Sequence, residues 1–235
     1  MRIYKLILIG AACFLSAPAG AGDIRFASVE DALRQGIGAY EGGYYEQALP
    51  ALRQAAAAKD DFYGTYYLAQ LYADNAGPYT SPAKAYEQYR RIVDEFADLD
   101  PDADDRAPLV GKSLTALALY VRRGITEIGL KPNLPLAVDY LHNASVMFND
   151  ADAQFELAKL QLTGEGVDED VPKALHWLSR LTQRGHAGAQ AFLADLLWRG
   201  RFVKANQARS LALISVAVAN APPRERLWKI GRAHV

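Results

Sequence analysis

Asp98, Asp100, Asp102 and Asp104 form the densest set of side chains in this chain that could do chemistry. Oxygen ligands at alternate positions are what a calcium loop uses, but that loop also needs glycine at its sixth position and a bidentate glutamate at its twelfth. Ala103 and Leu109 stand there, so the run reads as a solvated, proline-interrupted linker and an exposed point of protease entry. Three histidines, His142, His176 and His186, could act as bases or ligands. A lone helical histidine is ordinarily a packing or surface residue, and His186 reads as a turn residue. The chain has no phosphate-cradling glycine loop, zinc-protease helix, nucleophile elbow or paired-cysteine spacing. No catalytic, cofactor-binding or metal residue is assigned, and the chain is read as a non-enzyme without a cofactor.

Two further groups could bind rather than react. Tyr40, Tyr44, Tyr45, Tyr63, Tyr66, Tyr67 and Tyr72 concentrate in the first third. At these spacings tyrosines are expected to pack between helices with their hydroxyls at the rim. The polar stripe Glu156, Lys159 and Thr163, matched by Asp195 and Arg199, lies off the neighbouring apolar stripes. As a patch, Glu156, Lys159, Asp195 and Arg199 are the candidates for contact with a protein partner.

The elements that must carry these residues are written in a repeat. A shift of 36 residues takes Ala151 to Ala187, Ala153-Gln154 to Ala189-Gln190, Leu157-Ala158 to Leu193-Ala194, Leu160 to Leu196 and Gly164 to Gly200. Within the first copy Ala153, Leu157, Leu160 and Gly164 follow helical spacing, and Gly164 and Gly166 break the helix. Asp170 can cap a second helix with Pro172 in its first turn. That helix carries Ala174, Leu175, Leu178 and Leu181 inward, and Gly185 ends it. Each unit is a helical hairpin that must stack on its neighbours to bury its apolar face.

These residues carry a family resemblance. Ala153 to Leu160, Gly164 to Val167, Asp170 to Leu178 and Gly185 to Ala189 together resemble the Sel-one-like repeat. The second copy departs from it, with Phe202 for the loop glycine and Ser210-Leu211 for Ala-Leu. Ala32-Leu33, Ala39-Tyr40, Gly42 to Tyr45, Ala48-Leu49 and Leu52 resemble the related tetratricopeptide hairpin, with Pro50 expected to kink its second helix or shorten its first turn. A second hairpin is expected from Tyr63 to Phe96. A third contains Leu114, Leu117, Ala118 and Tyr120, then Asn133 as a cap and Ala137, Leu141, Ala144 and Phe148. The fold expected is all-α, a right-handed superhelical solenoid of about five helical hairpins.

The ends are read separately. Arg2 and Lys5, the apolar run Leu6 to Leu15 and the small residues before Gly22 make residues 1–21 a secretory signal peptide, with cleavage expected after Ala21. The run is shorter than the ~20 residues of a membrane span. Cys13, within it, is the chain's one cysteine, so the mature chain is expected to form no disulfide or thiolate metal site. Residues 22–228 make up the repeat domain. Residues 229–235 lack its periodicity, and Ile230 to Val235 match a translated sequencing-adapter string, so the natural reading is expected to end near Trp228. The formal charge of -1 becomes -3 without the signal, and no basic patch is expected to draw nucleic acid.

The secretory start, the cysteine-free repeats and the segment Asp152 to Ala158 together are similar to the ExoR family of periplasmic regulators from alphaproteobacteria. That resemblance implies a periplasmic negative regulator that binds the periplasmic domain of a sensor histidine kinase and controls exopolysaccharide synthesis and motility. It implies no nucleic-acid partner and no membrane insertion after signal cleavage. The alternative is a scaffold or adaptor subunit of an envelope polysaccharide export machine.

Overall fold

The computed structural model describes residues 26–58 and 61–220; the signal peptide with Ala21 and the segment 229–235 lie outside the described residues. Five helical hairpins follow one another. They are α1 (Val29–Gly42) with α2 (Tyr45–Ala56), α3 (Phe62–Ala73) with α4 (Pro82–Phe96), and α5 (Ala107–Arg123) with α6 (Leu134–Val146). The last two are α7 (Ala151–Thr163) with α8 (Val171–Gln183), and α9 (Ala187–Arg199) with α10 (Gln207–Asn220). Each helix packs chiefly on the ones before and after it in the chain, which is the contact pattern of a solenoid.

Local chemistry sets the boundaries. Ser28, Asp61, Ser81, Asn133, Asp150 and Asp170 each cap a helix by accepting the amide hydrogen three residues on, satisfying a donor that the helix cannot. Gly43, Gly164 and Gly200 follow their helices with φ near +70 to +80°, the left-handed turn that a side chain disfavours. The expected caps at Asn133 and Asp170 are therefore in place. Pro50 lies inside α2, which continues through it with one backbone donor fewer. The third hairpin departs most from expectation. Between Gly124 and Asn133 it inserts a single 3₁₀ turn, Thr126–Ile128, held by paired amides between Ile125 and Leu130.

First and second helices bury differently. α4 and α8 are one-sided, with a charged outer face, whereas α3, α7 and α9 are buried on several sides because each lies between two hairpins. α7 divides the interior: Ala153 and Leu160 join the core of the first three hairpins, while Phe155, Ala158 and Leu162 join that of the last two. Most of the tyrosines pack as expected. Tyr66, Tyr72 and Tyr89 are buried, Tyr40 and Tyr45 meet edge to face, and Tyr44 alone of the expected set is largely exposed.

Candidate functional site

The candidate contact residues fall into two ion pairs on successive first helices. On α7, Lys159 Nζ lies 3.1 Å from Glu156 Oε2, and on α9, Arg199 Nε lies 2.8 Å from Asp195 Oδ1. The first pair is less exposed than a solvated stripe would be. Lys159 also sits over the Phe155 ring, and Arg122 of α5 approaches Glu156 at 3.8 Å while bonding Glu165 at 2.8 Å. Glu156 thus helps to dock the third hairpin on the fourth, with Lys159 paired to it along α7. Arg199 is the most solvent-exposed of the four.

The junctions between hairpins hold the most constrained polar groups. Asp150 caps α7 through the Ala153 amide at 2.8 Å and accepts the Thr115 hydroxyl of α5 at 2.8 Å. Burial pushes its carboxyl above the usual range, and the Ala153 amide and the Thr115 hydroxyl pull partly against it. His186 stands one repeat later in the same place. Far from being only a turn residue, it caps α9: Nδ1 accepts the Ala189 amide at 2.9 Å. That leaves Nε2 to carry the proton and donate to Asp152 of α7 at 3.0 Å.

Each junction also contains a glutamine that had no assigned role in the sequence reading. Gln154 and Gln190 are both buried. Gln154 donates to Asn149 at 2.7 Å, and Gln190 donates to the Thr182 carbonyl at 3.1 Å and accepts from Asn220 at 3.1 Å. They close the C-terminal ends of the preceding second helices. The signal was present, since both glutamines recur at the repeat spacing.

The acidic linker is engaged internally. Asp104 takes two side-chain bonds from Arg106, at 2.9 and 2.7 Å, which hold its carboxyl down to about 2. Asp100 accepts the Asp102 amide, and Asp105 accepts the Tyr63 hydroxyl. His142 and His176 are exposed on α6 and α8. No group of three or more metal-ligating side chains occurs among the described residues, and no helix there is long and apolar enough to cross a membrane.

The charge is not evenly spread, and here the expectation of no basic patch needs correction. Residues 26–170 contain 24 acidic and 12 basic side chains, whereas residues 171–220 contain one acid, Asp195, and seven bases. All seven, from Lys173 to Arg209, are exposed. The near-zero total conceals an uneven distribution, with the excess of bases confined to the stretch from α8 to α10.

Comparison with known proteins follows the same architecture. The Sel1 repeat model matches residues 112–145, 151–186 and 187–219. The chain is 32% identical over 193 residues to the exopolysaccharide production negative regulator of Rhizobium meliloti (strain 1021), covering 82% of this chain and 69% of that protein. It is 30% identical over 236 residues to the protein of the same description from Rhizobium leguminosarum bv. viciae, covering 97% and 85%. Among solved structures, a Sel1 repeat protein from Oxalobacter formigenes matches with a TM-score of 0.56 at 21% identity, over 86% of this chain and 74% of that one. A protective antigen of uropathogenic Escherichia coli with an SLR fold matches equally well, over 88% and 41%. At that identity the two structures speak for the solenoid fold alone.

Proposed function

Because the chain belongs to the Sel1-repeat family of exopolysaccharide production negative regulators, we propose that it represses exopolysaccharide synthesis by binding a protein partner and not by catalysis. The observation that carries this reading is the 32% identity over 193 residues to a regulator of that description. Five stacked hairpins add a long surface suited to a protein. The partner is the periplasmic domain of a membrane sensor histidine kinase, and motility changes with the same switch. The signal peptide 1–21 delivers residues 22–228 to the periplasm after cleavage at Ala21. On the solenoid, the pairs Glu156–Lys159 and Asp195–Arg199 contribute to the contact, with Arg199 the most accessible of them.

The test is a deletion strain complemented with the full chain. Deletion should raise exopolysaccharide yield, complementation should restore it, and a site-specific cross-linker at Arg199 should trap the kinase in isolated envelopes. An unchanged yield on deletion would remove the regulator reading. Normal repression with a polysaccharide export channel as the trapped partner would favour the scaffold alternative.

A further inference from the structure

The stretch from α8 to α10 contains a groove that the first-helix surface does not use. It runs between α8 and the loop joining α9 to α10 as an open depression of about 510 Å³. Leu175, Leu193, Leu197 and Val203 form its apolar lining, and Lys204 and Arg209 stand at its edge. No carboxylate among the described residues lines it. Leu193 and Leu197 are four residues apart on α9, so they share one side of that helix. Asp195 and Arg199 share another, about 200° around the axis. The groove and the pairs proposed above are therefore separate surfaces.

Its chemistry specifies what fits. Lys204 and Arg209 are exposed and have no ion-pair partner among the described residues. They belong to the stretch in which bases outnumber acids seven to one. An apolar floor under an unpaired cationic rim excludes a basic helix and gives little to a purely polar polyanion. It suits a helix or extended segment with leucine-like side chains on one side and carboxylates on the other. The loop that bounds the groove also differs from its counterpart one hairpin earlier. Gly166 there lies against Leu134, where an added Cβ would come within 2.8 Å of Leu134 Cγ. Its equivalent here is Phe202, in the same left-handed conformation at φ 61°, with its ring packed against the core of the last two hairpins. This strained residue immediately precedes Val203 of the groove lining, and strained backbone clusters at binding surfaces.

We propose that the groove between α8 and the α9–α10 loop is a docking site for an acidic amphipathic segment of a protein partner. The proposal rests on the reading of the chain as a protein-binding repeat and adds where the segment sits and what it must look like.

The experiment titrates the full chain with a labelled synthetic helical peptide carrying leucines on one face and glutamates on the other. Binding should weaken at least tenfold in the double variant Lys204→Glu, Arg209→Glu, and several-fold when salt rises from ~50 to ~300 mM. The charge-matched control Lys112→Glu, Lys131→Glu, at exposed positions on α5 and in the loop before α6, should stay within about twofold of wild type. Both rim residues are exposed, so melting curves should show all variants folded. Equal binding by the double variant, or by a peptide with lysines for glutamates, overturns the proposal. Binding to phosphatidylglycerol vesicles without binding to the peptide overturns it in favour of a lipid surface. Salt-sensitive self-association abolished by the double variant overturns it in favour of a second copy's acidic segment. The two levels of the reading fail separately. A chain that ignores the peptide but still represses in cells loses the groove and keeps the regulator. One that binds the peptide, yet whose deletion leaves exopolysaccharide unchanged, keeps the groove and loses the regulator.

Discussion

Asp150 shows how one buried carboxylate can serve both local and long-range structure. It caps α7 and ties that helix to Thr115, 35 residues away. Asparagine offers the same Oδ1 acceptor to both donors without the charge. Asp150→Asn should therefore leave stability at neutral pH equal or higher, while Asp150→Ala should cost about 1 kcal/mol through the lost cap. The pH dependence follows from the raised carboxyl. Its folded-state pKa exceeds the unfolded value of ~3.9, so ionisation opposes folding. Stability from this group falls as pH rises from the unfolded value through the raised one, then stays level. Asp104 runs the other way: held down to about 2 by Arg106, it contributes fully above ~3.9 and loses that contribution as pH falls toward 2. Urea midpoints of wild type and Asp150→Asn between pH 3 and 7 should therefore diverge as pH rises. Parallel curves would mean that Asp150 is not penalised by burial.

At the scale of helices, Leu178 is the central residue of the last interface. It is fully buried, and its cluster contains Phe155 and Leu162 of α7 together with Ala189 and Leu196 of α9. Leu178→Ala should cost about 2–5 kcal/mol. The loss should appear as faster amide exchange in α7 to α10, with α1 to α4 unchanged, because solenoid interfaces connect near neighbours. Equal acceleration in α1 to α4 would contradict the stacking. The helices themselves were legible from the sequence for the same reason. A cap at Asp170, a break at Gly164 and a stripe through Ala153 and Leu160 are all local signals. The bonds between hairpins were not, because Thr115–Asp150 and Asp152–His186 join residues whose separation no short window spans. Glu156 looked like surface for that reason, since its docking role depends on Arg122, far back in the sequence. The uneven charge was missed differently: a sum over the whole chain cancelled it.

For the molecule as a whole, two interiors meet at α7, and they are unequal. The first spans three hairpins and is rich in buried aromatic and branched residues, while the second is smaller. Beyond the second, a separate small cluster joins Ala217 of α10 to Ala191 of α9, and on α10 Leu211, Val216 and Val218 are 59%, 45% and 44% exposed. Apolar surface left in water contributes nothing to stability. Native-state hydrogen exchange in rising urea should therefore release α8 to α10 before α3 to α5. A single transition releasing all helices together would show that α7 couples the two interiors more tightly than nearest-neighbour stacking requires.

The caps before α7 and α9 also bear on inheritance. Asp150 and His186 stand 36 residues apart, each accepting the amide three positions on. An in-frame loss of residues 151–186 would join Asp150 directly to Ala187 and leave it three positions before the Ala189 amide. Recombination between the two copies would thus delete a whole hairpin while keeping a competent cap at the seam. The reverse event would add one. A gene with such seams can change the reach of its product in steps of one hairpin; a gained copy would keep α8 beside α9 and carry the groove to the new end, whereas the loss would remove Leu175 and Ser179 and with them the α8 wall of the groove.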